Sequence, residues 1–468
     1  MRMTVIGTGY LGAVHAACMA DIGHEVLGVD IDGEKIRALA EGRPPFFEPG
    51  LDEVLTRATA SGRLRFSTSL SEAAAFADVH FVCVGTPQQA GSDAADLRCV
   101  DAVVDGLAAH LTGAHLLVGK STVPVGTTPR LAARLRGIVP AGCEVEVAWN
   151  PEFLREGFAV EDTLRPDRIV VGVTSPRADR VLREVYAPML ADRVPYVSTD
   201  PATAELVKVS ANSFLATKIS FINAMAEVCD AAGADVVTLA DALGHDTRIG
   251  RRFLHAGLGF GGGCLPKDIR AFSARARELG VGEAVGFLGQ VDAVNQRQRR
   301  RTVDIARDLA GGEFTGRRIA VLGATFKPNS DDIRDSPALA VAAAIHREGA
   351  EVRVHDPEGL HNARLAHPEL RYENEPSGAC AGADVVLHLT EWSDYRELDP
   401  VKLARVVRTP RLIDARNHLD MGLWRASGWT VRALGRPSPA LLPGPARAGL
   451  ALSRPSAAGR QRPPTARC

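Results

Sequence analysis

Three groups of residues in this chain are spaced so that they could do chemistry. The first is Gly7-Thr8-Gly9-Tyr10-Leu11-Gly12, followed 18 residues after its last glycine by Asp30. Glycines at these spacings let a backbone approach a pyrophosphate at a helix N-terminus, where amide N–H groups and the helix dipole favour an anion. An acid at that distance accepts from ribose hydroxyls and repels a 2′-phosphate, so the pattern points to hydride chemistry with NAD rather than NADP. The second group is GLGFGGGCLPKD, Gly257 to Asp268, where Cys264 stands in a run of glycines with Lys267 and Asp268 just behind it. Such a loop tolerates strain, and it raises the question of what a thiol does there. The third is Lys208 and Asn212, four residues apart in a stretch of helical period and therefore on one helix face. On its own such a lysine reads as a solvated helix residue; only its surroundings can give it a role.

The surrounding elements are those of an α/β protein. MTVIG reads as a buried strand, the glycine turn follows, then a helix, then the strand EVLGVD ending in Asp30. A strand from Asp78 to Val84 ends in Gly85-Thr86-Pro87. Another ends at Lys120, with Ser121 and Thr122 at its edge, and EVEVAW runs into the loop NPEFLREG. Ligands of open α/β sheets bind outside the carboxyl ends of the strands, so these three loops are expected to wall a site. From Pro201 an apolar helical period runs for some thirty residues. That length suits a helix that bridges domains or buries a subunit interface. From about residue 316 a second strand–helix series begins, with Lys327 in its first loop and a helix opening at Ser336-Pro337. Its first turn lacks the glycine pattern, so it should bind something other than a dinucleotide, and it reads as a loose duplication of the first unit. The expected fold is therefore two Rossmann-like domains with parallel sheets joined by a long central helix. The expected divisions are an NAD-binding domain at 1–200, a helical linker or dimerisation region at 201–300 and a second Rossmann-like domain at 301–435. A tail at 436–468, with seven prolines, six arginines and no acid, is expected to be disordered.

Composition excludes several classes of function. A chain of 468 residues suggests two or three domains. Fifty-five basic against 56 acidic residues argue against a nucleic-acid binder, and 5% aromatic content leaves little for base stacking. No apolar run approaches the ~18 residues of a membrane span, and the N-terminal run breaks at Gly7, too early for a signal segment. A cytoplasmic protein without membrane partners is expected. The eight cysteines are scattered, with no CxxC pair and no zinc spacing, as expected of reduced thiols without a metal site.

The segments TVIGTGYLG, VGTP, KSTVPVGT, NPEFLREG, KVSANSFLATKISFIN, FLHAGLGFGGGCLPKD and GATFKPNSDDIRDSP resemble, in order, those of the nucleotide-sugar dehydrogenases, the UDP-glucose/GDP-mannose dehydrogenase family. The resemblance covers roughly residues 1 to 435, and ATKISFIN is more similar to the UDP-glucose branch than to the others. Two positions depart from the family loop, which has Ser before the cysteine and Phe after it; here they are Gly263 and Leu265.

The resemblance implies oxidation of UDP-glucose to UDP-glucuronate in two NAD-dependent steps. The same four-electron chemistry on UDP-N-acetylmannosamine or GDP-mannose is the alternative. It also gives the thiol a purpose. A thiolate adds to the intermediate aldehyde, the thiohemiacetal loses hydride to become a thioester, and water releases the acid. Cys264 would be the nucleophile, with its pKa lowered by Lys267 or a helix N-terminus. Lys208 and Asn212 would stabilise the oxyanion. Thr122 and Asp268 would hold water, and Glu152 or Asp268 would act as base. Asp268 also suits the N-cap of the following helix. For the sugar nucleotide the matching positions are Phe153, Leu154, Lys208, Asn212, Arg248, Phe253, Gly261, Lys267, Lys327 and Arg416. Lys327 would be a cation for the diphosphate, Phe253 an apolar wall, and Phe260 either wall or core. For NAD they are Gly7, Gly9, Gly12, Asp30, Lys35, Thr86, Thr122, Glu156, Cys264 and Arg334. A homodimer or larger homo-oligomer is expected.

Overall fold

Strand β1 (Arg2–Ile6) sends Met3 and Val5 into one apolar layer and Ile6 into another. This two-residue period builds a sheet buried on both faces. The computed structural model describes residues 1–437; the expected tail lies outside the described residues from 438 onward. The first sheet adds β2 (Glu25–Val29), β3 (Leu64–Ser67), β4 (Val79–Val82), β5 (Ala114–Gly119), β6 (Glu144–Trp149), β7 (Ile169–Gly172) and β8 (Tyr196–Thr199), in the order β3-β2-β1-β4-β5-β6-β7-β8. The sheet is not wholly parallel as expected, because β7 runs antiparallel to β6. The NPEFLREG loop and a short helix, Ala159–Leu164, join the two strands.

The order reverses between β1 and β4, and α1 (Tyr10–Asp21) starts at that crevice. Helix α2 (Thr127–Arg136) follows β5. The chain then leaves the first sheet through α3 (Pro201–Ala232), 32 residues long, capped by Asp200 and stopped by Gly233 at φ 72°. Helices α4 (Leu265–Glu278) and α5 (Phe287–Ala310) pack against α3. Helix α5 is a second long connector, and it leads into the second sheet.

That sheet comprises β9 (Arg318–Leu322), β10 (Glu351–His355), β11 (Arg371–Tyr372), β12 (Val385–His388), β13 (Arg411–Asp414) and β14 (Thr430–Ala433), all parallel, in the order β11-β10-β9-β12-β13-β14. Helix α6 (Pro337–Arg347) opens as expected, with Ser336 accepting from the Leu339 amide at 3.2 Å and Pro337 in the first turn. The duplication is visible in detail. Gly7 follows β1 at φ 92°, and a Cβ there would lie 2.7 Å from Val84; Gly323 follows β9 at φ 107°, and a Cβ there would lie 2.4 Å from Thr390. Asp30 accepts from the Thr8 amide and hydroxyl, and Asp356 accepts from the amide and hydroxyl of Thr325. In the second sheet, however, the Trp392 indole also donates to Asp356, at 3.2 Å, and closes it off. Among the described residues no helix is long and apolar enough to cross a membrane.

The first sheet also buries a chain of imidazoles. Thr4 Oγ1 bonds His80 Nδ1 at 2.8 Å, and His80 Nε2 bonds His115 Nδ1 at 3.1 Å. Burial, then the neighbouring His115, pushes His80 down to about 3. The unfolded chain accepts a proton near the ordinary value of 6.5 that the folded chain refuses, so folding loses stability as pH falls below about 6.5. The slope is at most about 1.4 kcal/mol per pH unit until the folded value is reached. We predict that hydrogen-exchange protection of the β1 and β4 amides falls between pH 6.5 and 5, and that His80→Gln flattens this decline although it lowers protection at pH 8. Unchanged protection in the wild type across that range would mean that His80 takes up its proton in the folded state.

Candidate active site

The three glycines of the first turn answer to three different constraints. Gly7 needs its positive φ, and a Cβ on Gly12 would lie 1.8 Å from the Gly7 carbonyl oxygen, so only glycine lets α1 approach β1. A Cβ on Gly9 would meet nothing within 4 Å. Gly9 caps α1 with no side-chain hydrogen bond, which leaves the first amides open to an anion. At the far edge of this cradle, Asp30 accepts from the Thr8 and Asp32 amides at 2.8 and 3.1 Å and from Lys35 Nζ at 3.1 Å. Burial would raise its pKa, but these donors outweigh it and hold the carboxylate below its usual range. Lys35 thus pairs with the acid. Thr86 Oγ1 donates to the Thr122 carbonyl at 2.8 Å and ties the turns after β4 and β5 together. The residues fit a dinucleotide: there is open backbone where a phosphate would sit and a charged acid where a ribose would.

Helix α3 presents Glu205, Lys208 and Asn212 along one face, and all three are buried. Lys208 Nζ lies 2.9 Å from Glu152 Oε1 and 5.6 Å from the centre of the Phe153 ring. Burial pulls the Lys208 pKa down; Glu152 first, then Cys264 and Asp268, push it up further, so the ammonium persists. The other Glu152 oxygen accepts from the Leu154 amide at 2.8 Å. Asn212 Nδ2 donates to Asp268 Oδ2 at 2.6 Å, and Lys267 Nζ pairs with Asp268 Oδ1 at 2.6 Å.

Cys264 is itself the N-cap of α4. Asp268 therefore sits inside the first turn and is not the cap, a correction to the expectation. The thiol is reached by solvent, yet protein crowds it on most sides, as at the floor of a cleft. Burial, then the Asp268 charge, pushes it up to about 12, and Lys208 is the cation that opposes them. Lys267, expected to lower the thiol, is locked on Asp268 instead.

The glycine loop is also not a strain-tolerant surface loop. A Cβ on Gly261 would lie 2.3 Å from the Asp335 carbonyl oxygen, and one on Gly263 would lie 2.4 Å from the Arg334 guanidinium carbon. Glycine is needed because the second domain packs directly against the loop. Amides of Leu258 and Gly262 donate to the carbonyls of Ala415 and Arg334, both at 2.8 Å. The Asn295 side chain bonds both the amide and the carbonyl of Phe260, whose ring is core beside Ile269 and Leu288. Arg416, expected to hold substrate, donates to the carbonyls of Leu389 and Gly259 at 2.7 and 2.9 Å and so clasps the loop.

The loop of 323–335 crosses from the second domain to the first. Lys327 Nζ donates to the Glu156 carbonyl and makes no ion pair among the described residues. Burial holds Lys327 below its usual range. Arg334 bridges Glu156 at 3.0 Å and Asp332 at 2.6 Å, and Tyr10 donates to Asp331 at 2.5 Å. Glu156 is pushed up to about 8, by burial first and Asp332 second, and its Oε2 is buried without a partner. Phe253 is half-buried at φ 65°, an uncommon conformation for an aromatic residue. Arg248 does not join this group: its side chain is 87% exposed and forks onto Asp246 at 2.6 Å. Sequence reasoning missed two buried acids. Glu48 accepts from the amides of Gly157 and Ala159, both at 2.7 Å, and Glu205 accepts from Gly126 and Thr128. A signal existed for each: the acid before Pro49-Gly50, and an acid three residues before Lys208 on the same helix face.

Family models for the UDP-glucose/GDP-mannose dehydrogenase family match residues 1–190 as its NAD binding domain, 202–297 as its central domain and 320–421 as its UDP binding domain. The chain is 45% identical to a UDP-glucose 6-dehydrogenase of Rhizobium meliloti, over 93% of this chain and 100% of that one. It is 40% identical to one of Pseudomonas aeruginosa, over 93% and 98%. Among solved structures it is similar to a UDP-glucose dehydrogenase of Pyrobaculum islandicum, with a TM-score of 0.84, 39% identity, and 92% of this chain and 98% of that one covered. With the glycine turn of the first sheet, the Cys264 loop and most of the second sheet falling within matched domains, the chain belongs to the UDP-glucose/GDP-mannose dehydrogenase family.

Proposed function

We propose that this chain oxidises UDP-glucose to UDP-glucuronate through a covalent thioester. The observation that carries the reading is the exposed Cys264 at the start of α4, whose first turn carries Asp268 bonded to Asn212 of the helix that also bears the buried, charged Lys208. The open amides at Gly9 and the Asp30 carboxylate would hold NAD, which would supply the hydride acceptor for both oxidations. Lys208 remains an ammonium and stabilises the oxygen that becomes negative in each step. The Cys264 sulfur bonds the aldehyde carbon as the thiol proton passes to the aldehyde oxygen; loss of hydride from that carbon and of the hydroxyl proton leaves a thioester, and water breaks its carbon–sulfur bond to give carboxylate, a proton and the thiol. Glu152 is the better candidate for taking the proton of that water. Both acids have both oxygens engaged, but Asp268 is only 2% exposed, whereas Glu152 keeps 11% exposure. Lys327, with no carboxylate partner among the described residues, suits the diphosphate, and Phe153, Leu154, Phe253 and Gly261 border the sugar side. Thr86, Thr122, Glu156 and Arg334 belong to the cofactor side. Arg416 acts through the loop, and Arg248 has no part in its own cleft.

The chain is also proposed to act as a homodimer in the cytoplasm. Phe214, Phe221 and Val228 recur every seven residues on α3 and are 67%, 49% and 56% exposed. A stripe of that period on one long helix is complementary to its own two-fold copy. The seven described cysteines are all free thiols, as a reducing compartment requires.

Three outcomes are expected. Wild type yields two NADH per UDP-glucose, and Cys264→Ser loses roughly 100-fold or more of that turnover. One NADH with an unaffected mutant would leave a simple alcohol dehydrogenase, and two NADH only from another nucleotide sugar would change the substrate alone. Alkylation of Cys264 by iodoacetamide, followed by mass spectrometry, should rise about tenfold per pH unit from 7 to 9 without levelling. It should be slower in Lys208→Ala and faster in Asp268→Asn, whereas a plateau below pH 8 would refute the raised thiol. Phe214→Glu with Phe221→Glu should convert a dimer to a monomer in sedimentation; an unchanged wild-type-like dimer would place the interface elsewhere.

A further inference from the structure

Glu205 is 1% exposed on α3, yet it spends its carboxylate on a distant turn. Oε2 accepts from the Gly126 amide at 2.7 Å, and Oε1 accepts from the Thr128 amide at 2.7 Å and the Thr128 hydroxyl at 2.6 Å. Gly126, at φ 96°, is the N-cap of α2 and has no side chain to close the helix end. An acid supplied from another helix closes it, where the helix dipole also favours negative charge. Burial alone pushes the Glu205 carboxyl up, and these donors oppose that. The closed turn is the end of the segment Ser121–Thr128, whose Thr122 carbonyl accepts from Thr86. A second helix holds the same segment, because Arg275 Nε of α4 donates to the Val125 carbonyl at 2.9 Å.

We infer that Glu205 is a positioning residue for the cofactor: it fixes the Thr122 turn against the helix that carries Lys208 and so sets the cofactor-side wall of the cleft. The inference rests on the reading of the first domain as the NAD site. The carboxylate of Glu205 bonds only Gly126 and Thr128 among the described residues, and not Lys327, Phe153 or the glycine loop, so its loss should spare the sugar-nucleotide side. The variant Glu205→Gln keeps the shape, but it removes the charge and turns an N–H toward a donor.

The test is calorimetric titration of the full chain with NAD and, separately, with UDP, in wild type, Glu205→Gln and Thr128→Val. Glu205→Gln should raise the Kd for NAD by roughly 5- to 20-fold, since charge-assisted bonds are lost, while the Kd for UDP changes by less than about twofold. Thr128→Val deletes only the hydroxyl donor and should raise the Kd for NAD by about two- to fourfold. It remains decisive if Glu205→Gln does not fold. Hydrogen exchange of the amides of Gly126 and Thr128 should quicken in both variants without any ligand. An unchanged Kd for NAD in both variants, or a parallel rise for NAD and UDP, overturns the positioning role. A wild type that binds no NAD overturns the functional reading and this inference with it.

Discussion

Lys208 keeps its charge in a place that water hardly reaches, and the cleft is arranged around that constraint. Burial drives a lysine toward neutrality. Here a carboxylate 2.9 Å away, assisted by the charge of Asp268, more than reverses the effect. Such a pair is useful only while it stays intact, because removing one partner strands a buried charge at a cost of about 3–5 kcal/mol. The partner comes from a loop after β6 and the lysine from α3, so the loop and the helix must not move apart. Both ends of the loop are fixed: Leu154 donates to Glu152 itself, and Glu48 takes the amides of Gly157 and Ala159.

Helix α3 satisfies the constraint for more than one loop. At i, i+3 and i+7 it presents Glu205, Lys208 and Asn212, and these engage the turn before α2, the loop after β6 and the helix that starts at Cys264. The same straight rod therefore fixes the spacing among three segments far apart in sequence. The thiol is fixed from the other side as well. Asn295 of α5 holds Phe260, and Arg416 and Arg334 of the second domain hold Gly259 and Gly262. The position of the nucleophile is thus a property of both domains.

Features with short-range causes were legible in the sequence. The glycine turn with Asp30, the long apolar period of α3, the Ser336-Pro337 helix start and the odd thiol all announce themselves within about 30 residues. What the sequence could not disclose was direction and partner. Arg416 and Arg248 both carry the charge that a diphosphate wants; one turns its fork onto backbone carbonyls and the other onto Asp246. Lys267 stands three residues from Cys264, yet Asp268 claims it, and the cation that works on the thiol is 56 residues away. The glycines around Cys264 suggested freedom, whereas the close approach of Asp335 and Arg334 makes them a condition of tight packing. The antiparallel β7 was hidden because an apolar run of four residues looks the same in either direction.

The two sheets carry the same device at their switch points and use it to opposite ends. After β1 the helix begins at Tyr10, and Gly9 between them faces open space. After β10, Asp356 stands where Asp30 stands after β2, but its oxygens are filled by the amides of Ala324, Thr325, Glu358 and Gly359, the Thr325 hydroxyl and the Trp392 indole. A carboxylate with every lone pair occupied and an indole over it cannot accept from a ribose. The chain after Gly323 also delays its helix until Pro337, and the cap of that helix, Ser336, donates back to the Ala324 carbonyl at 2.6 Å. That delay releases a loop, and the loop is what reaches the first domain with Lys327, Asp331 and Arg334. Closing one dinucleotide cradle and lengthening its turn therefore have a single consequence: the second sheet supplies a charged loop that packs onto the first domain through Lys327, Asp331 and Arg334.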